Sequence, residues 1–167
     1  MFMRTIEFQH FSAFAPSLAR TSTPDWMLYL VAKLGGFDAV VTRDLAQFTQ
    51  REELVAIALT ELTVVTWRQP VEDPLAEWGQ LMAYAPQIAK RMRSADYSPT
   101  VIFLPSPRLN LDQTERPLEL ARALAGRENM PYNEWQSAAL AVMREALDRQ
   151  RGTRALQLKS LLADLAK

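Results

Sequence analysis

Apolar positions along the chain fall into two rhythms. Met27, Leu30, Val31 and Leu34 recur at i, i+3, i+4 and i+7, which predicts a helix with one buried face. Thr23, Pro24 and Asp25 precede it as N-cap, first-turn proline and first-turn acid, and Gly35 with Gly36 ends it. A β-branched run, Ala39 to Val41, then predicts a strand from Asp38 to about Thr42. Thr49 and Glu52 have capping-box spacing and open a helix to about Thr60. Thr63 to Trp67 reads as a second strand, Asp73 and Pro74 as the start of a long helix toward Met92, and Thr100 to Leu104 as a third strand closed by Pro105 and Pro107. Pro86 lies inside the long helical pattern and predicts a kink or break just before it. Arg4 to Phe8 is a further strand candidate.

Short strands without clean alternation, separated by helices, predict a parallel sheet covered on both faces. Beyond Pro107 the spacing is helical, through Leu118 to Ala125, then Trp135 to Ala146, then Leu158 to Leu165. The expected fold class is therefore α/β over residues 1–107, with an all-helical C-terminal extension over residues 108–167 packing on it.

Composition narrows the chemistry. The chain has 167 residues, 49% of them apolar, enough for one substantial core. Its formal charge is zero, so no global field steers it toward a polyanion. It has no cysteine, which excludes disulfides, thiolate metal sites and cysteine nucleophiles. The N-terminus lacks the apolar core and cleavage site of a signal peptide, and no apolar run approaches the roughly 18–20 residues that span a bilayer. The expectation is a soluble, cytoplasmic protein with no membrane partner.

Dinucleotide, P-loop, zinc-protease and serine-elbow motifs are all missing. The single histidine, His10, lies between Phe8 and Phe11 and reads as a partly packed imidazole near a strand end. Carboxylates remain. Asp44 falls just past the carboxyl end of its expected strand, where open α/β sheets keep ligands, and Asp25 falls in the first turn of the preceding helix. Oxygens converging there suit Mg²⁺ or Mn²⁺. Glu7, Asp38, Glu52 and Glu53 are further members with no basis for choosing among them. Each acid also has a plain reading. Asp25 facing a helix dipole is worth about 0.3–1 kcal/mol, Asp44 can start a turn or pair with Arg43 or Arg51, and Glu52 can serve its capping box. Lys90, Arg91 and Arg93 read as a solvated helix end, with phosphate tracking as the alternative. Trp67, Trp78 and Trp135 read as core or interface.

The string TPDWMLYLVAKLGGFDAVVTRDLAQF, followed by REELVAIALTELTVVTW, resembles the PIN-like domain, the metal-dependent ribonuclease fold of many VapC-type bacterial toxins. Asp25 in TPDxxW and Asp44 in VVTRD match two recurring acids of that branch, and the resemblance covers residues 4 to about 105. It implies a three-layer sandwich around a central, mainly parallel sheet. It also implies Asp25 and Asp44 as catalytic, metal-holding acids for Mg²⁺ or Mn²⁺, with Arg43 and Thr42 on the RNA phosphate. The family's usual first strand, which ends in another acid, has no counterpart ahead of RTIEFQHF. That departure implies either that Met1 is not the biological start or that the domain is N-terminally shortened with an incomplete metal site. The shortened domain is expected to have weak or absent nuclease activity and a rearranged element or second subunit covering what the strand would have covered.

Two functions follow as expectations. One is an endoribonuclease related to toxin–antitoxin systems, with RNA as substrate and an antitoxin or other protein as partner. The other is a catalytically impaired binding or scaffold protein that works as a homo-oligomer. A phosphoryl-accepting receiver fits less, because it wants an acidic pair after an earlier strand and a lysine after a later one, whereas Leu104 leads into Pro105, Ser106 and Pro107.

Overall fold

The structure is a computed structural model of the chain, and it describes residues 6–16, 18, 23–69, 73–104 and 114–167. Helix α1 is a single turn, Phe11–Phe14, and α2 spans Trp26–Leu34. Strand β1 is Ala39–Val41, and a 3₁₀ turn at Ala46–Phe48 leads to α3, Arg51–Thr60. Strand β2, Thr63–Trp67, and the long α4, Pro74–Met92, precede β3, Val101–Leu104. A two-residue strand β4, Thr114–Glu115, comes before α5, Pro117–Arg127, α6, Tyr132–Asp148, and α7, Thr153–Leu165.

The described strands form one sheet in the order β1-β2-β3-β4. β1 runs parallel to β2 with Val41 opposite Val65, β2 runs parallel to β3 with Trp67 opposite Leu104, and β4 lies antiparallel to β3. The fold is thus α/β with three parallel strands. Side chains alternate across it, as the pleat requires. Val64 and Val101 join a large core with α2, α3 and the C-terminal helices, whereas Val65, Trp67, Ile102 and Leu104 join a smaller core with Leu81 and Ile88 of α4. β2 is buried at all five positions, which explains its lack of alternation. Trp135, Met143, Leu147, Leu158 and Leu162 are almost fully buried in the larger core, each worth roughly 1.5–3 kcal/mol of burial.

Several local expectations are corrected. α2 begins at Trp26, with the Pro24 and Asp25 carbonyls accepting from Met27 and Leu28 at 3.0 and 2.9 Å, so Thr23 is not the N-cap. The capping box of Thr49 and Glu52 does not form. Thr49 donates its hydroxyl back to the Ala46 carbonyl at 2.7 Å, and Gln50 takes the N-cap position of α3. Asp73 does cap α4, accepting from the Leu75 amide at 2.9 Å. α4 runs unbroken through Pro86. The proline lies on the exposed side, where water can reach the Met82 carbonyl that loses its donor.

Ile6 to Phe8 form no strand, and Arg4 lies outside the described residues. His10 sits beside no strand end. It is exposed and caps α1, its Nδ1 facing the Ser12 amide at 3.3 Å and the Ser12 hydroxyl at 2.6 Å. The tail is not helix alone, because β4 occupies the outer edge of β3 and pairs ladder groups that would otherwise stay open. Pro105, Ser106 and Pro107 lie outside the described residues. Among the described residues, no helix is long and apolar enough to cross a membrane.

Candidate functional site

At the carboxyl edge of the sheet the β1 chain leaves through Thr42, whose amide still bonds the Val65 carbonyl at 3.0 Å. The next residues fold into a tight polar turn. The Asp44 amide donates to Thr42 Oγ1 at 3.1 Å, and Asp44 Oδ1 accepts from the Ala46 amide at 2.8 Å. Asp44 therefore does start a turn. Arg43 Nε meets Glu77 Oε2 of α4 at 3.1 Å. Arg51 Nη2 meets Glu128 Oε2 at 2.5 Å and lies 5.7 Å from the Trp135 ring centre.

A buried chain of hydrogen bonds holds the turn from beneath. Tyr29, on the buried face of α2, donates its hydroxyl to Gln47 Oε1, and Gln47 Nε2 donates to the Asp44 carbonyl. Gln47 is only 3% exposed, so both ends of its amide must be satisfied inside the protein. Burial, together with Glu53, Asp25 and Asp44, keeps the Tyr29 phenol raised well above its usual pKa.

Three carboxylates from three elements act on one another here. Asp25 stands just ahead of α2 and makes no side-chain cap; partial burial first, and Asp44 second, raise its pKa. Glu53, in the first turn of α3, is pushed up to about 7 by burial and then by Asp25, Asp44 and its neighbour Glu52. Its Oε2 is buried without a hydrogen-bond donor. Among the described residues, no lysine or arginine is a cause that offsets these shifts. Yet among the described residues no three His, Cys, Asp or Glu side chains converge closely enough to form a ready metal cluster.

The two acids singled out in the sequence, Asp25 and Asp44, thus come within electrostatic reach of each other. Glu53 is selected from the wider set, whereas Glu7 and Asp38 are not among the charges that shift it. Thr42 turns its oxygen into the loop, and Arg43 turns to Glu77. Sequence reasoning missed Gln47, Tyr29 and Glu77. It also missed Arg68, which lies three residues beyond Val65 just as Asp44 lies three beyond its register partner Val41. That parallel register puts Arg68 on the same sheet edge, with its guanidinium 5.0 Å from the Phe103 ring centre.

No protein-family model matches the chain, and no curated protein or solved structure matches it.

Proposed function

We propose that the chain is a PIN-like, metal-dependent endoribonuclease of the toxin–antitoxin kind, with Asp25 and Asp44 as the principal ligands of a Mg²⁺ or Mn²⁺ ion. The observation that carries this reading is the uncompensated carboxylate trio at the carboxyl edge of a parallel sheet. Glu53 Oε2 lacks any donor, and burial first, with the neighbouring acids second, raises the pKa of Asp25 and Glu53. An all-oxygen acidic set of this kind fits a hard divalent cation. When bound, such an ion polarises a phosphoryl oxygen and stabilises the charge that develops on it.

The protein's own residues do the rest. Gln47 and Tyr29 fix the Asp44 main chain, so its carboxylate is presented from a rigid turn. Glu53 would supply a third oxygen ligand beside Asp25 and Asp44, two acids whose charges act on it. Arg43, held at Nε by Glu77, and Arg68 supply cationic contact to the phosphates flanking the scissile bond.

A second reading, a binding or scaffold protein without catalysis, is favoured by one specific observation: one Asp44 oxygen is already engaged by the Ala46 amide. Calorimetric titration with Mn²⁺, beside Asp44→Asn, separates the two. Saturable binding that disappears in the variant, together with metal-dependent cleavage of single-stranded RNA, is the expected result. Absence of Mn²⁺ binding by the parent chain would sink the enzyme reading.

A further inference from the structure

The outer face of α4 is unlike any ordinary solvated helix. Its inner face buries Glu77, Leu81, Ala85 and Ile88, while Leu75, Trp78 and Met82 stand 78%, 53% and 55% exposed. These three recur at i, i+3 and i+7 and form one continuous ridge. Phe8 extends it by packing edge-on against Trp78, with ring centres 5.9 Å apart. From Pro74 to Ala89 the only charged residue is Glu77, and it points inward to Arg43. An uncharged exposed face about four turns long is the signature of an interaction surface.

Beside the ridge runs a groove. Ala76, Gly79 and Ala83 line it with Gln80 and Tyr84, and it is shallow and open to solvent. Gly79 stands open on this face: among the described residues a Cβ added there would meet nothing within 4 Å, and its backbone needs no positive φ. A mid-helix glycine nonetheless costs about 1 kcal/mol relative to alanine. Its use is to let another backbone or a large side chain approach.

The geometry points to a second copy of this chain as the occupant, packed with its α4 antiparallel about a two-fold axis near Gly79 and Met82. Ridge and groove lie on one helix, so two copies are complementary to each other: the Leu75, Trp78 and Met82 ridge of each enters the small-residue groove of the other. The charges at the helix ends match as well. Asp73 caps the N-terminus, and Lys90 and Arg93 stand at the C-terminal end of the same face, about 60° or less from Leu75 around the helix. Antiparallel packing sets the acidic end of one copy beside the basic end of the other and opposes the two helix dipoles. A half-cylinder of this length, with Ile6 and Phe8 added, covers roughly 500 Å² per copy, so about 1,000 Å² in total, the lower end for a specific interface. The dimer is therefore concentration-dependent rather than permanent.

Sedimentation velocity of the full chain over a concentration series tests this directly. The expected result is a monomer–dimer equilibrium whose dissociation constant rises about tenfold or more in Trp78→Glu, as for the loss of an anchor residue, with an unchanged circular dichroism spectrum. The chain has no cysteine, so single thiols report the face cleanly. Met82→Cys should cross-link copies on mild oxidation, whereas Leu156→Cys, at a position 66% exposed on α7, should not. A monomer at every concentration would overturn the proposal. So would a dimer that is indifferent to Trp78→Glu, or flotation of a monomeric chain with phosphatidylcholine vesicles through the α4 face.

Discussion

Glu53→Gln exchanges a carboxyl for an amide of the same shape and removes one charge from the trio. In the folded chain Glu53 has a pKa of about 7 against an ordinary value of 4.5, because it is partly buried and faces Asp25, Asp44 and Glu52. The unfolded chain gives up this proton near 4.5 and the folded chain keeps it until about 7. Stability from this group is therefore fully present below the lower value, falls as pH rises between the two, and levels off above the upper one. Unscreened, the interval corresponds to roughly 3 kcal/mol. The side chain is only partly buried, and discounting for screening leaves about 1 kcal/mol. Without divalent ions, Glu53→Gln should then exceed the parent chain in stability by about 1 kcal/mol near pH 8, and the two should agree near pH 4. Urea denaturation across that range, with a chelator present, measures the difference curve. Adding Mn²⁺ should reverse the order, because only the parent chain regains what the repulsion cost. A variant less stable than the parent at the alkaline end, or a difference independent of pH, would refute the account of Glu53 as an uncompensated acid.

Two further outcomes follow from the same neighbourhood. Arg43→Met leaves the buried Glu77 without its cation and should destabilise the fold by about 2 kcal/mol, a figure reduced because Arg43 is itself half exposed; Arg43→Met with Glu77→Leu should recover most of the loss in urea denaturation. Gln47→Leu takes the acceptor from the Tyr29 hydroxyl and the donor from the Asp44 carbonyl, which should cost about 2 kcal/mol and weaken Mn²⁺ binding in calorimetry, because the turn carrying Asp44 loses its support.

What the sequence revealed and what it hid divide along the range of the forces involved. The helix of Met27, Leu30 and Val31 and the strands at Ala39–Val41, Thr63–Trp67 and Val101–Leu104 were legible because periodicity and β-branching act within a few residues. Asp44 was legible for the same reason, since its place at a strand end is a local fact. Glu52 and Glu53 were indistinguishable, because neighbours on a helix point about 100° apart and only the packing of α3 against α2 decides which one meets Asp25. Thr49 misled because its hydroxyl bonds the preceding turn instead of the helix ahead of it. Gln47 carried no signal at all. A polar residue in a short turn reads as solvent-facing until Tyr29, eighteen positions earlier, is seen to cover it.

Two arginines flank the acidic site closely in sequence, and each has a carboxylate partner outside it. Arg43, next to Asp44, is drawn to Glu77 on α4; Arg51, two positions before Glu53, is drawn to Glu128, where the Trp135 indole also donates at 3.1 Å. Either arginine, turned the other way, would have lowered the repulsion among Asp25, Asp44 and Glu53. Instead each is anchored by a carboxylate from a separate element, so the cations fasten the sheet edge to α4 and α3 to the C-terminal helices, while no ion pair to the acids between them occurs among the described residues. A sequence optimised for stability alone has no reason to divide its charges this way. The arrangement makes physical sense if a positive charge from outside the chain completes it, which is why the Mn²⁺ dependence of stability bears more directly on function than any single contact in the fold.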